Sequence, residues 1–251
     1  MWCVKPDSAG RRYLLLSMLG CALLLDAAWA SAATALAQGA SAQGASAQTA
    51  SAQTASAQAA APQDAGSPQE IQVITRAGQK QMLDKPGVDA VGARDADVIV
   101  VEYFDYNCPY CKQLVPTLHA LLAQEPKIAI LYKDWPILGD VSVYAASCAL
   151  AAGYQGKYQA AHDALISGPR LAHNEQVDTI LRTAGVNMDT LKKDRLSHAK
   201  EIAALLERND MEAHALTLDG TPGLVIGRQL VPGIADVKYL RGLVANSRHI
   251  K

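Results

Sequence analysis

The sequence predicts an α/β fold: a small core of a βαβ unit, a β-hairpin and a closing helix, with a block of helices inserted between its halves. Three observations predict it. Strand, helix and strand signals follow one another across residues 97–132. Everything from about 141 to 216 has helical spacing. A hairpin and one further helix then follow, to residue 246.

The first strand is Asp97 to Tyr103 (DVIVVEY), a short β-rich apolar run of the kind buried between two layers. From Cys108 to Gln124 the apolar positions 114, 115, 118, 121 and 122 recur at helical spacing. Pro109 suits a first turn, where a missing N–H costs nothing, and Pro116 inside the pattern predicts a kink. Lys127 to Tyr132 reads as a second strand, and a strand–helix–strand unit implies a parallel pair. The inserted helices are expected at 141–153, 155–167, 174–184 and 189–216, with Asn174 and Asp189 as N-caps and Gly153 and Gly185 as terminators. Gly223–Ile226 and Gln229–Val231 read as a hairpin around Gly227-Arg228, and Asp236 to Asn246 as the closing helix.

What precedes this fold reads as an address and a tether. Lys5, Arg11 and Arg12 lead into an apolar run from Tyr13 to Leu25, and Ala28-Trp29-Ala30 offers a small-residue cleavage site. A rival site is Ala35-Leu36-Ala37, so cleavage is expected near Ala30 or Ala37. The run is short of the ~20 residues that a membrane-spanning helix needs. Residues 1–30 are thus expected to be a signal peptide directing the chain to the periplasm. Residues 31–68 contain four copies of an uncharged pentapeptide, Gly-Ala-Ser-Ala-Gln and its Thr-led variant, over 39–58. A five-residue period aligns no helical face, so this segment reads as a flexible linker. The domain proper is expected over 69–251, with the helical insertion at about 141–216.

Composition removes several functions. The net charge is -1 in 251 residues, and no basic face argues for nucleic acid as a partner. Half the chain is hydrophobic, too much for a wholly disordered protein. Five cysteines are too few for a disulfide-stapled miniature fold, and export implies an oxidising compartment. Cys3 and Cys21 would leave with the leader, which keeps Cys108, Cys111 and Cys148.

Cys108-Pro109-Tyr110-Cys111 carries the chemistry, because it sits between a strand and the start of a helix. Unpaired N–H groups and the macrodipole at a helix N-terminus favour a negative charge. The Cys108 thiolate should therefore be stabilised, with its pKa below that of a free thiol. Cys111, one helical turn on, is close enough for a disulfide and should be more buried. Cys108 would then exchange with substrate and Cys111 would resolve the mixed disulfide. Other readings compete. A structural disulfide closing so short a loop would constrain little chain. A tetrahedral zinc usually takes four ligands and there is no second such motif, whereas two thiolates could hold copper(I). No cofactor and no resident metal is expected.

Val100-Val101-Glu102-Tyr103-Phe104-Asp105-Tyr106-Asn107 followed by Cys-Pro-Tyr-Cys resembles the active-site region of the DsbA-like branch of thioredoxin-fold proteins, which are exported bacterial thiol–disulfide oxidoreductases. Gly220-Thr221-Pro222-Gly223-Leu224-Val225-Ile226-Gly227 shares in the likeness, which spans about 88 to 246 and is nearest in character to the suppressor-of-copper-sensitivity C type. The resemblance implies a thioredoxin-like core with an inserted helical domain and a redox-active Cys108–Cys111 disulfide. It implies a cis peptide bond before Pro222, which would face the cysteine pair with Thr221 beside it. It also implies that Glu102 is a buried carboxyl exchanging a proton with Cys111; the alternative is a strand-edge glutamate in solvent. Lys133 on the neighbouring strand is a candidate partner for Glu102.

The implied partners are unfolded or misoxidised exported proteins and a membrane redox partner. Two departures bear on direction. The strongest oxidases carry Pro-His where this chain has Pro109-Tyr110, and Thr221 precedes the proline as in isomerase relatives. Oxidase-type exchange is the first expectation and isomerase or reductase the second. Copper(I) binding, or holding-chaperone action without turnover, are the readings from other classes. Cys148, in an alanine-rich segment, reads as a small buried hydrophobe, Trp135 as a core anchor, and the six histidines as surface or core fillers.

Overall fold

The computed structural model describes residues 72–84 and 87–249. The leader of 1–30, its cleavage sites and the linker of 31–68 lie outside the described residues. Fourteen elements follow in order: β1 (Gln72–Val73), α1 (Arg76–Leu83), β2 (Val91–Gly92), β3 (Val98–Phe104), α2 (Pro109–Gln124), β4 (Ile128–Asp134), α3 (Asp140–Gly153), α4 (Tyr158–Ile166), α5 (Asn174–Thr183), α6 (Met188–Ser197), α7 (Ala199–Ala215), β5 (Gly223–Ile226), β6 (Gln229–Pro232) and α8 (Val237–His249). The six strands form one sheet in the order β1-β6-β5-β3-β4-β2. β3 and β4 are parallel, joined through α2, while β5 runs antiparallel to β3 and closes a hairpin with β6. Five helices, α3 to α7, separate β4 from β5. This is a thioredoxin-like core with an inserted helical block.

Side chains alternate across the central strands, so each strand feeds two cores. Val98, Val100 and Phe104 of β3 and Ile128, Ile130 and Tyr132 of β4 pack with Leu114, Leu118 and Leu121 of α2 and Leu240, Leu243 and Val244 of α8. Val101 and Tyr103 of β3 and Leu131 of β4 face the other way, onto Met82 of α1, Ala213 of α7, Leu218 and Trp135. Trp135 is an anchor there, buried, with its indole N–H donating to Asp210 Oδ1 at 2.8 Å.

Several sequence expectations are corrected. The helix expected over 189–216 is two, α6 and α7, broken at His198 (φ -109, ψ 20), whose ring stacks on Tyr154 with centroids 3.7 Å apart. Buried Leu191, Ile202 and Ala213 fall on one stripe, which is why the segment reads as continuous. The N-cap of α5 is His173, not Asn174. That of α6 is Asn187, not Asp189, and Asn187 Oδ1 accepts from Thr190 N at 2.9 Å. The helix expected over 108–124 is present as α2, with Pro116 inside it. β1, α1 and β2 have no counterpart among the expected elements. Two-residue strands leave no periodicity, and α1 buries only Met82. Among the described residues, no helix is long and apolar enough to cross a membrane.

Candidate active site

The site begins where β3 stops. Asp105 is almost wholly buried, and its carboxylate accepts from Asn107 N at 2.7 Å, Ser142 Oγ at 2.7 Å and Leu138 N at 2.9 Å. Its carbonyl accepts from Cys108 N at 3.0 Å. One acid thus shapes the turn that delivers Cys108 and ties it to the segment leading into α3. Asn107 adds a second tie, donating from Nδ2 to Leu171 O at 3.0 Å and accepting from Leu171 N at 2.7 Å.

Cys108 is the N-cap of α2 in extended geometry (φ -72, ψ 118), Pro109 opens the helix, and Tyr110 is 55% exposed beside the thiol. Both active-site cysteines are free thiols. Cys108 Sγ accepts from Cys111 N at 3.4 Å. The hydrogen bond from the Cys111 thiol is the largest influence on Cys108, and the Thr221 side chain and the backbone N–H groups of the first turn add to it. Against the cost of burial they bring the Cys108 pKa down to about 6. Helix-terminus stabilisation is part of the cause, but the partner thiol outweighs it. Cys111 has no exposed surface, and burial first, then its donation to Cys108 and the nearby Glu102 charge, push its thiol far up.

Glu102 is 3% exposed, so it is not a solvent-facing strand-edge residue. It pairs in register with Tyr132 of β4 and Leu224 of β5, and shares its face of β3 with Val100 and Phe104, the face that α2 covers. Desolvation, then the charge of Cys108, raise its carboxyl to about 8. Lys133 does not partner it. Lys133 Nζ lies 2.7 Å from Glu212 Oε2 on the opposite face, because the register sets Lys133 beside Tyr103 instead of Glu102.

The Thr221–Pro222 peptide bond is cis, and the preceding carbonyl meets the thiol: Cys108 Sγ donates to Thr221 O at 3.1 Å. Pro222 is buried and its own carbonyl accepts from Gly233 N at 2.8 Å, which holds the segment to the loop after β6. A Cβ at Gly223 would meet Leu218 Cδ1 at 2.6 Å, so a larger residue there would displace the Leu218 side chain.

Asp105, Asn107 and Lys112 escaped the sequence reading. Lys112 follows Cys111, and its ammonium donates to Leu165 O at 3.0 Å, Ile166 O at 3.1 Å and Gly168 O at 3.0 Å, the carbonyls that end α4. It places a cation near both cysteines and offsets the negative end of α4. A polar Asp-x-Asn turn directly before the motif was the available signal; the partners, at 138, 142 and 171, were not. Farther under the loop, Tyr106, Tyr132, Tyr158 and His162 pack as an aromatic cluster with Phe104. Burial holds His162 at about 3, hence neutral. Cys148 is fully buried, and burial raises its thiol to about 11.

A dithiol whose two members differ this much in acidity, the more acidic one buried at a helix start against a proline loop, is equipped for disulfide exchange. The comparisons agree. Residues 99–245, more than half of the chain, match the family model described as DSBA-like thioredoxin domain. The fold is similar to a thioredoxin-like oxidoreductase from Silicibacter pomeroyi DSS-3, at 35% identity and a TM-score of 0.66 over 69% of this chain and 99% of that one. It is similar to the thiol-disulfide exchange protein alpha-DsbA2 from Wolbachia pipientis, at 29% identity and a TM-score of 0.63 over 67% and 90% of the two chains. The catalytic domain of Proteus mirabilis ScsC is matched at 25% identity and a TM-score of 0.58 over 69% and 96%. Among curated proteins, the Na(+)/H(+) antiporter NhaA 1 of Salinispora arenicola is 31% identical over 163 residues, and this chain spans only 24% of its length. The chain belongs to the DSBA-like thioredoxin domain family of thiol–disulfide oxidoreductases.

Proposed function

We propose that the protein is exported to the periplasm and catalyses disulfide formation in other exported proteins, with Cys108 and Cys111 cycling between disulfide and dithiol. The observation that carries this reading is the asymmetry of the pair: Cys108 at about 6, Cys111 buried and pushed far up.

A client thiolate attacks Cys108 Sγ of the disulfide, forming a mixed disulfide and breaking the bond to Cys111. Cys111 leaves as a poor thiolate and takes a proton from the Glu102 carboxyl, which at about 8 is protonated in neutral solution. A second client thiolate attacks the client sulfur, and Cys108 leaves as a stabilised thiolate. The client has lost two electrons and the pair has gained them; Glu102 regains its proton from water. Thr221 and Pro222 line the place where the client chain meets Cys108, with Pro109 and Tyr110 on the other side. A membrane redox partner then restores the disulfide.

The reduction potential of the pair, poised in glutathione buffers, tests the direction. A value toward the ~-120 mV of strong oxidants supports oxidase work. A value toward thioredoxin's ~-270 mV supports the second reading, an isomerase or reductase kept reduced by its membrane partner, which Thr221 before Pro222 favours. Absence of a reversible couple overturns both and brings copper(I) binding or chaperone action forward. Cys111→Ser is expected to accumulate mixed disulfides with reduced clients, and Cys108→Ser to form none and lose turnover, as read by non-reducing electrophoresis.

A further inference from the structure

A cavity of about 670 Å³ opens between the edge of the sheet and the inserted helices. Cys108, Cys111, Glu102, Thr221 and Pro222 are not among its lining residues. The sheet side is the segment 87–91 leading into edge strand β2; the helical side comes from the end of α3, the start of α4 and the start of α7. Its volume is in the range of small-molecule sites, roughly 300–1,000 Å³.

The lining has a definite chemical sense. Leu150 and Ile202, both nearly buried, and Leu205 supply an apolar floor. Asp89 and Glu201 bring two exposed carboxylates to the same cavity. Gln159, also in the lining, donates from Nε2 to Asp163 Oδ1 at 2.7 Å. Among the described residues, no lysine, arginine or histidine lines the cavity. An anion would meet two like charges, and a fully apolar molecule would leave both carboxylates unanswered. Nor is there a metal site: among the described residues, no three His, Cys, Asp or Glu side chains are grouped to hold one.

We propose that this cavity binds an amphipathic amine, its apolar tail on the Leu150–Ile202–Leu205 floor and its protonated nitrogen toward Asp89 and Glu201. The site is independent of the cysteine chemistry and stands whether or not the pair turns over.

Titration of the full chain with n-octylamine, octanoate and octanol, followed by calorimetry, tests it. Octylamine is expected to bind saturably at one site, with octanoate about tenfold weaker or worse, a factor equal to about 1.4 kcal/mol. Glu201→Gln should weaken octylamine several-fold and leave octanol unchanged, since only the charge is removed. Gly153→Leu should block all three probes. Gly153 ends α3 and lines the cavity, and a Cβ there meets nothing closer than Tyr158 Cβ at 3.7 Å, so the variant has room to fold. Octanoate binding as well as octylamine, octylamine binding untouched by Glu201→Gln, or no saturable amine binding would each overturn the proposal. Glu201 lies on an exposed helix face, so its variant decides the matter even if Gly153→Leu is unstable.

Discussion

Glu102 and Tyr103 are neighbours on β3, yet they face opposite layers, and the layers treat a buried carboxyl differently. On the Tyr103 side, Glu212 of α7 is met by Lys133 Nζ at 2.7 Å and by the Tyr103 hydroxyl at 3.0 Å, with Arg208 at 4.0 Å. On the other side, no salt bridge reaches Glu102 among the described residues; its surroundings are the hydrophobic core and the cysteine pair. One acid is neutralised by a cation and joins α7 to the sheet. The other is left to be neutralised by a proton, and so can give one up. Within one sheet, the two buried carboxyls differ in whether a cation shares their face.

The sharpest way to break this comparison is to remove the cation. Lys133→Ala leaves buried Glu212 with only Arg208 at 4.0 Å and the Tyr103 hydroxyl, and should cost up to about 3–5 kcal/mol in urea unfolding. Replacing both partners, Lys133→Met with Glu212→Leu, should recover most of that loss, and neither change should move the Cys108 thiolate titration. A shift of that titration would mean the two layers are coupled.

The matching change on the other face is Glu102→Gln. It should slow the step in which Cys111 accepts its proton by roughly 10²-fold, read by stopped-flow reduction of the disulfide form at pH 7. Stability should respond in the opposite sense to the Lys133 variant. A carboxyl at about 8 in the fold and near 4.5 unfolded prefers its neutral form when folded. It therefore contributes stability below the unfolded value, and this is lost as pH rises through about 8. In the disulfide form, where Cys108 and Cys111 do not titrate, wild type should weaken between pH 5 and pH 9 and Glu102→Gln should weaken less. Asp134, raised to about 7 by burial, retains its share of the slope.

The smallest expected effect belongs to Lys112. Lys112→Met exposes the first turn of α2 to the carbonyls ending α4 and removes a nearby cation. The Cys108 pKa should rise by up to about one unit, seen as a shift of the 240 nm thiolate absorbance curve above its midpoint near 6. Lys112→Arg should restore most of the shift. Lost stability with an unmoved thiolate curve would make Lys112 a strap between α2 and α4 and nothing more.

Much of the site was legible because its logic is local. A thiol at a helix start and a second thiol three residues on lie within one turn, which follows from helix geometry alone; that both are buried does not. The strand–helix–strand core and the hairpin were legible because each has a period or a turn residue, such as Gly227 at φ +60. The break at His198 was not, because a contact with Tyr154 decides it.

The chain alone therefore determined the α/β class, the inserted helices and a pair of cysteines one turn apart at a helix start, all carried by residues a few positions apart. The tertiary structure decided what depends on register and on distant contacts. Pairing Glu102 with Tyr132 sends Lys133 to the far face, and a slip of one residue would have reversed that. Thr221 O reaches Cys108, Leu171 latches Asn107, and the end of α4 captures Lys112. The reason is physical: local periodicity shows that a residue is buried, but only the packed partner, brought in from far along the chain, sets whether its charge is paired, protonated or free to react.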